Sequence, residues 1–425
     1  MTRSTTLVPW LAAGLLALGV VACGSKGEES TSGGGSAGAN AEVKVGPGVT
    51  DKQITLGVLT DLSGVFSPLA KPIVHANQLF WKERNAQGGV CNRQVKLVIK
   101  DHGYDPQKAV VQYREISRNV LALQHLLGSP ITAALLPTMK TDKMPALLAA
   151  WPSSLLVNDN IIIVGTTYDV EMINGLDYLL QEHKIKSGDK IGHLYFEGEY
   201  GENGLQGSKA FAKENGMTVV EQKIKATDED MTGQVSAFKR AGVKAILATT
   251  APTQLASVAG IAAAQGLNVP ILGNNPTFDP ALMKTPAAKA LEANAYISSS
   301  LTPYNLDKPK VEAVAKDFEA AYPKDDVKAS VQFGYVMSQV SYEILNQACK
   351  DKDLTREGFI AASHKLSSID TAGLTAASLD YSKPGQPAER AVYIARPDAK
   401  APGGLTSVGG IFESELAKSY EIGAG

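Results

Sequence analysis

Short apolar segments alternate with longer amphipathic ones along most of the chain. Residues 54–59 are apolar and short enough for a buried strand, while residues 69–87 carry apolar side chains at helical spacing before two glycines. The same alternation recurs and starts again at about Tyr168. Apolar strands that are each followed by a helix are typical of parallel sheets covered on both faces. We therefore predict an α/β fold of two doubly wound, Rossmann-like lobes.

The individual elements follow from the same pattern. Strands are predicted over residues 54–59, 95–99, 121–127, 146–151 and 161–164, and then over 191–196, 217–224, 245–248, 270–272 and 295–299. Helices are predicted between them and, after the last of these strands, over 309–321, 330–348 and 356–364. Two further strands are predicted over 374–379 and 391–395.

The amino-terminal segment differs from the rest of the chain. Arg3 precedes an apolar run that ends at Cys23, the order of charged, apolar and small residues found in secretory signal peptides. The run is shorter than the roughly 20 apolar residues that a membrane span needs. Residues 24–48 are rich in glycine, serine and alanine, as flexible tethers are. We predict a cleaved signal peptide over residues 1–22, a tether over 23–50, and a body that works outside the cytoplasm.

The cysteines fit that location. The sequence VVAC at residues 20–23 resembles a bacterial lipobox, and by that resemblance Cys23 is lipidated and anchors the protein to the outer face of the cell membrane. The alternative is an ordinary signal peptide in which Cys23 is incidental. Cys91 and Cys349 remain as an even pair in an oxidising compartment, so a disulfide and two buried free thiols are both open.

Composition excludes several classes of protein. The chain is 44% hydrophobic and 20% charged, with a net charge of −2, which is ordinary for a soluble globular protein. No long basic run is present, so we do not expect nucleic acid as a partner. The six histidines are scattered, and we expect no metal and no cofactor. The G-x-S-x-G match at residues 34–38 lies in the tether, and no nucleophile–base set occurs elsewhere, so we do not expect an enzyme.

Several motifs in a fixed order resemble one known family. They are QITLGVLTDLSG from residue 53, GGV at 88–90, VKLVIKDHGYDPQKAV from residue 95, GSP at 128–130 and EYGENG from residue 199. Together they resemble the branched-chain amino-acid type of periplasmic solute-binding protein, the receptor component of an ABC importer. The resemblance covers residues 53–395. It implies a periplasmic binding protein type I fold, in which two lobes joined by a three-strand hinge close on a ligand.

The resemblance also implies how the lobes divide and what the protein does. The chain would cross between the lobes near Thr166, near residues 299–302 and near residues 372–374. The first lobe would comprise residues 51–166 and 300–372, and the second lobe residues 167–299 and 373–415. The protein would act as a monomer that holds a small organic ligand and delivers it to an ABC permease. A ligand-sensing receptor module of the same fold is the alternative.

Candidate ligand-binding residues lie in the loops that follow the strands, because open parallel sheets bind ligands at the carboxyl ends of their strands. They are Ser63, Phe66, Ser129, Trp151, Ser153, Ser154, Tyr200, Thr250, Asn275 and Phe278. By the resemblance, Tyr335 matches a position that often faces the cleft, with core packing as its alternative role. Core packing is also the alternative for Trp151, and a structural turn is the alternative for Ser63.

One departure from the family bears on the ligand. By the resemblance, amino-acid binders hold the ligand's ammonium with an acid in the loop matching residues 273–278, where this chain has Asn274 and Asn275. An amide cannot supply the charge that a buried ammonium requires. Leucine, isoleucine and valine are therefore in doubt, unless Asp169 or Glu171 replaces the missing acid. Aromatic acids, other small carboxylates and neutral amides are the alternatives.

Overall fold

The computed structural model describes residues 43–422. The strands of that part are β1 (Lys44–Val45), β2 (Gln53–Thr60), β3 (Gln94–Asp101), β4 (Leu123–Leu127), β5 (Ala146–Ala149), β6 (Ile161–Ile163), β7 (Lys190–Phe196), β8 (Thr218–Ile224), β9 (Ala245–Thr249), β10 (Ile271–Asn274), β11 (Ala295–Ser299), β12 (Asp353–Leu354), β13 (Val392–Pro397) and β14 (Leu405–Phe412). Its helices are α1 (Ser67–Ala86), α2 (Pro106–Ile116), α3 (Ser129–Thr141), α4 (Tyr168–Gln181), α5 (Glu199–Glu214), α6 (Thr232–Ala241), α7 (Pro252–Ala264), α8 (Ala288–Asn294), α9 (Pro309–Ala321), α10 (Ala329–Lys350), α11 (Arg356–Ser363) and α12 (Glu415–Ser419). Within these residues no helix is both long and apolar enough to cross a bilayer.

The first sheet has five parallel strands in the order β3-β2-β4-β5-β6. Its central strand β4 is buried along its whole length, as expected for a parallel strand with helices on both faces. α1 packs along α10 and against β3, while α2 and α3 contact β2 and β4. The apolar runs and helical spacings of the sequence therefore correspond to a covered parallel sheet.

The second sheet has seven strands in the order β14-β13-β11-β10-β9-β7-β8. The strands from β7 to β11 are parallel, and β13 and β14 add to this sheet in antiparallel fashion. The strand predicted over residues 374–379 is wrong, because that segment forms only isolated bridges at Thr375 and Leu379. The last strand is instead β14, which was missed because it is half-exposed and interrupted by Gly409 and Gly410.

The chain passes between the two sheets after β6, after β11 and before β13. The passing segments bond to one another: Thr166 Oγ1 donates to the Ala391 carbonyl at 2.8 Å, and the Ala376 N–H donates to the Ser300 carbonyl at 2.8 Å. Three adjacent connections of this kind leave a cleft between the sheets.

The amino-terminal end of the body begins earlier than predicted. β1 pairs in parallel with β12, and Val49 is buried, so residues 44–49 belong to the body and the predicted tether to residue 50 is too long. The signal peptide, Cys23 and most of the predicted tether lie outside the described residues. A disulfide joins Cys91 to Cys349 at the end of α10, with 6.2 Å between their Cα atoms.

Candidate ligand-binding site

A cavity lies where the carboxyl ends of strands from both sheets meet. It encloses about 910 Å³ of space between protein atoms, part of which opens to solvent. Gly128 follows β4 in its wall, and Asn274 and Ser299 end β10 and β11. Most of the wall is apolar or aromatic. The rings come from Phe66, Tyr104, Trp151, Tyr168, Tyr200, Phe278 and Phe333.

The rings are held by contacts within the protein. The carboxylate of Asp61, directly after β2, accepts a hydrogen bond from the Phe66 N–H at 2.9 Å. The Phe66 ring lies with its centroid 6.3 Å from that of Tyr200, a residue of α5, so rings from the two halves of the molecule meet here. The Trp151 indole N–H donates to the Leu148 carbonyl at 3.2 Å, which leaves the ring to serve as an apolar surface.

Three buried polar groups in the wall have no hydrogen-bond partner: Ser129 Oγ, Asn274 Nδ2 and Ser330 Oγ. Ser129 is the first residue of α3 and adjoins the Tyr168 phenol. Ser330 is the second residue of α10. Neither helix has a side-chain cap or an acidic residue in its first turn, so both positive helix ends are uncompensated at the cavity.

Lys328 is the one charged side chain in the part of the wall that the structure describes. Its Nζ lies 2.7 Å from Asp279 Oδ2, and the two side chains are only 9% and 3% exposed. Nζ also donates to the Pro68 carbonyl at 3.2 Å. Lys328 precedes α10 and Asp279 follows β10, so this buried ion pair joins the two halves of the molecule and leaves the wall without net charge.

The two acids considered as substitutes for the missing carboxylate lie behind the wall rather than in it. Asp169 is fully buried and accepts hydrogen bonds from Ser153 and Asn203, and burial raises its pKa. Glu171 Oε2 accepts from the Asn275 N–H at 3.1 Å, and burial raises the pKa of Glu171 well above its ordinary value. Within residues 43–422 no group of three or more His, Cys, Asp or Glu side chains is placed to hold a metal ion.

The structure brings six of the predicted binding residues together in the cavity wall: Phe66, Ser129, Trp151, Tyr200, Asn275 and Phe278. Ser63, Ser153 and Ser154 are not among the lining residues. Ser63 Oγ is exposed and donates to Asp101 at 2.8 Å, while Ser153 Oγ donates to Asp169. Ser154 is exposed to solvent.

Thr250 and Tyr335 also lie outside the wall. The Thr250 carbonyl accepts a hydrogen bond from the Tyr200 hydroxyl at 3.0 Å, so Thr250 positions a lining residue. The Tyr335 ring packs against Phe80 of α1 with 5.0 Å between centroids, and its hydroxyl donates to Glu83 at 3.0 Å. Tyr335 therefore occupies the helix-packing position that was its alternative role.

Sequence reasoning missed Tyr104, Tyr168, Lys328, Ser330 and Phe333. Tyr104 follows β3, so the strand-end rule that found Phe66 could have found it. Ser330 and Phe333 come from the start of a helix that follows another helix, where no strand end marks the site.

Comparison with known proteins identifies the class. The family profile described as periplasmic binding protein matches residues 53–402, and the chain belongs to that family. The resemblance noted from the motifs is thereby confirmed. Proteins of this family are substrate-binding proteins that work outside the cytoplasm. A sequence search among curated proteins finds no match.

Solved structures agree with this assignment. A fatty acid ABC transporter substrate-binding protein from Thermomonospora curvata is 46% identical, with 89% of this chain and 97% of that chain covered and a TM-score of 0.87. A branched-chain amino acid ABC transporter protein from Thermus thermophilus with bound valine is 19% identical, with 88% and 99% covered and a TM-score of 0.76. A leucine-binding protein from Thermotoga maritima is 16% identical, with 85% and 99% covered and a TM-score of 0.72. The last two show the shared fold alone, and the predicted type I fold is confirmed.

Proposed function

We propose that this protein is the substrate-binding component of an ABC importer and that its ligand is an aliphatic carboxylate, such as a fatty acid. The observation that carries the proposal is the cavity wall, which combines apolar and aromatic side chains with three unpartnered neutral polar groups. Burying an aliphatic chain there is favourable by roughly 0.8 kcal/mol per methylene.

The absence of an acid from the described wall argues against an amino acid. A zwitterion would bring an ammonium that needs a carboxylate partner when it leaves water. Asn274 and Asn275 supply only amides, and Glu171 lies behind the wall with a raised pKa that favours its neutral form. The side chains that face the cavity therefore disfavour leucine, isoleucine and valine.

A carboxylate finds suitable donors in the same wall. The hydroxyls of Ser129 and Ser330 and the amide of Asn274 have no other partner. Ser129 and Ser330 lie in the first turns of α3 and α10, and helix N-termini stabilise anions. Lys328 is neutralised by Asp279, so the electrostatic support comes from the helix ends and the hydrogen bonds rather than from a free cation.

The 46% identical structure supports the ligand class, since that protein is described as a fatty acid ABC transporter substrate-binding protein. We extend the proposal to the rest of the transport cycle. The first lobe (residues 51–166 and 300–372) and the second lobe (167–299 and 373–415) close on the ligand. The protein acts as a monomer, Cys23 carries the lipid anchor, and the loaded form docks on a permease.

The test is a thermal-shift and calorimetry series on purified protein stripped of bound lipid. Octanoate, octanamide and octylamine share one apolar body and differ only in the head group, and leucine, isoleucine and valine complete the panel. We expect octanoate to bind, and a ligand at 100 times its Kd to add about 2.7 kcal/mol to the free energy of unfolding. Binding of leucine, isoleucine or valine in preference to every aliphatic carboxylate would overturn the proposal.

A further inference from the structure

A second, smaller cavity adjoins the first one. It encloses about 370 Å³ of space between protein atoms, including space that opens to solvent. It shares Ile297, Ser299, Leu301, Ala329, Gly403 and Leu405 with the wall of the main cavity. Its remaining wall comes from the segment 302–304, from β13 and from Pro402. The two cavities therefore share a wall formed by β11 and Leu301, the start of α10 and residues 403–405.

The buried polar groups without hydrogen-bond partners lie in only one of the two cavities. The three unpartnered polar groups, Ser129 Oγ, Asn274 Nδ2 and Ser330 Oγ, belong to the main cavity alone. In the smaller cavity, Thr302 Oγ1 donates to the Gly373 carbonyl at 2.7 Å and the Tyr304 hydroxyl donates to the Lys328 carbonyl at 3.1 Å.

The smaller cavity is thus suited to apolar groups. Two of its four hydroxyls, those of Thr302 and Tyr304, are already engaged with the backbone, and most of the remaining wall is apolar. A polar ligand group entering it would therefore lose more hydrogen bonds to water than it could regain there. An apolar cavity of this kind holds water poorly and accepts hydrocarbon.

We propose that the smaller cavity is the subsite for the distal end of the ligand's alkyl chain. The inference rests on the proposed function and deepens it: the ligand is an unbranched carboxylate long enough to run from the polar groups of the main cavity into the smaller one. The protein then selects ligands by chain length. Ala329 lies in the wall that both cavities share, so a larger side chain at this position should keep the alkyl chain out of the smaller cavity.

The experiment measures Kd for straight-chain carboxylates from butanoate to hexadecanoate on wild type, Ala329→Phe and the control Ala320→Phe, whose side chain lies on the exposed face of α9. In wild type we expect affinity to rise about fourfold for each added methylene until both cavities are filled. In Ala329→Phe the rise should stop at a shorter chain, with at least a tenfold loss for the long acids and little change for the short ones. Ala320→Phe should follow wild type.

A second measurement on wild type covers the case in which Ala329→Phe fails to fold. An alkyl carboxylate with a terminal diazirine is photolysed in the bound state, and labelled peptides are mapped by mass spectrometry. Labelling of residues 302–304, Tyr393 or Pro402, which line the smaller cavity alone, supports the subsite. Labelling confined to residues that line the main cavity overturns it.

The outcomes separate this inference from the proposed function. If no carboxylate of any length binds, the proposed function fails. If carboxylates bind but affinity does not depend on chain length beyond the short acids, or if Ala329→Phe matches wild type throughout, the proposed function stands and the subsite is overturned.

Discussion

Two buried polar regions of this molecule differ in how completely their hydrogen bonds are made. The first, which we call the α1–α10 network, lies between α1, β4 and α10 and consists of Thr60, Asn77, Trp81, Gln124, His125 and Ser338. Asn77 Nδ2 donates to Ser338 Oγ at 3.0 Å and Asn77 Oδ1 lies 3.1 Å from His125 Nδ1. In the cavity wall, by contrast, Ser129, Asn274 and Ser330 each have an unpartnered polar atom.

The difference indicates what each region is for. Buried polar groups in proteins are usually partnered, because an unpartnered one costs about 1–3 kcal/mol. The α1–α10 network makes its bonds when the chain folds and so contributes to stability. The polar atoms of the cavity wall gain partners only when a ligand arrives, so their contribution belongs to binding.

Lys328 gives the largest expected effect, because it lines the cavity like Ser330 but, like the network, is bonded to other groups of the protein. Lys328→Met leaves Asp279 buried without its counter-charge, and we expect the free energy of unfolding to fall by about 3–5 kcal/mol in chemical denaturation. The double variant Lys328→Met with Asp279→Leu should recover most of that loss.

Lys284→Met is the matched control for this experiment. Lys284 and Asp326 join the same two segments, but their side chains are 75% and 61% exposed, so we expect a loss below about 1 kcal/mol. If Lys328→Met instead leaves stability intact and abolishes octanoate binding, Lys328 is the cation that holds the ligand.

Asn77→Ala tests the network itself. The change removes the Asn77 donor to the Gly334 carbonyl and to Ser338 Oγ and leaves His125 Nδ1 without its partner, so we expect a loss of about 2–4 kcal/mol in the free energy of unfolding. The Kd for octanoate, measured by calorimetry on the folded protein, should stay within about twofold of wild type, a difference of roughly 0.4 kcal/mol. A large change in Kd with unchanged stability would show that the two regions are not separate.

Ser330→Ala should weaken octanoate binding while leaving stability unchanged, the reverse of what we expect for Asn77→Ala. A hydrogen bond to a charged group contributes about 1.5–3 kcal/mol, so octanoate affinity should fall by about ten- to a hundredfold. The free energy of unfolding of the ligand-free protein should not fall, because the hydroxyl has no partner to lose. Ser341→Ala is the control: this serine also lies in α10 with an unpartnered hydroxyl, but it does not line the cavity, and its removal should leave Kd unchanged.

Glu171→Gln should have the smallest effect on stability, and this effect should become measurable when the melting temperatures of the two proteins are compared over a range of pH. Burial raises the folded-state pKa of Glu171 well above 4.5, so the folded protein holds its proton in a range where the unfolded chain has lost it. Stability contributed by this group therefore falls as pH rises from about the ordinary carboxyl value toward the raised pKa. The melting temperature of Glu171→Gln should match wild type near pH 4 and exceed it progressively toward pH 8. A difference in melting temperature that does not vary with pH would contradict a raised pKa for Glu171.

Much of this could be predicted from the sequence, because apolar runs and helical spacing report burial directly. β11 and α9 have the predicted bounds, and Phe66 and Asn275 line the cavity from the loops after β2 and β10, as the strand-end rule predicts. β14 could not be predicted, since its half-exposed, glycine-containing sequence has no clear period. Ser330 and Phe333 could not be assigned either, because contacts distant in sequence decide which face of α10 meets the cavity.

α10 has a consequence for how this protein could acquire new ligands. Ser330 and Phe333 are three residues apart on one side of the helix and face the cavity, while Tyr335 faces α1. Gly334 lets the helices approach closely, since a Cβ at that position would lie 2.5 Å from the Ile73 carbonyl oxygen. Mutations on the cavity side can therefore accumulate without disturbing the helix pair. The same helix thus carries ligand contacts on one side and helix packing on the other, so the two roles can change separately.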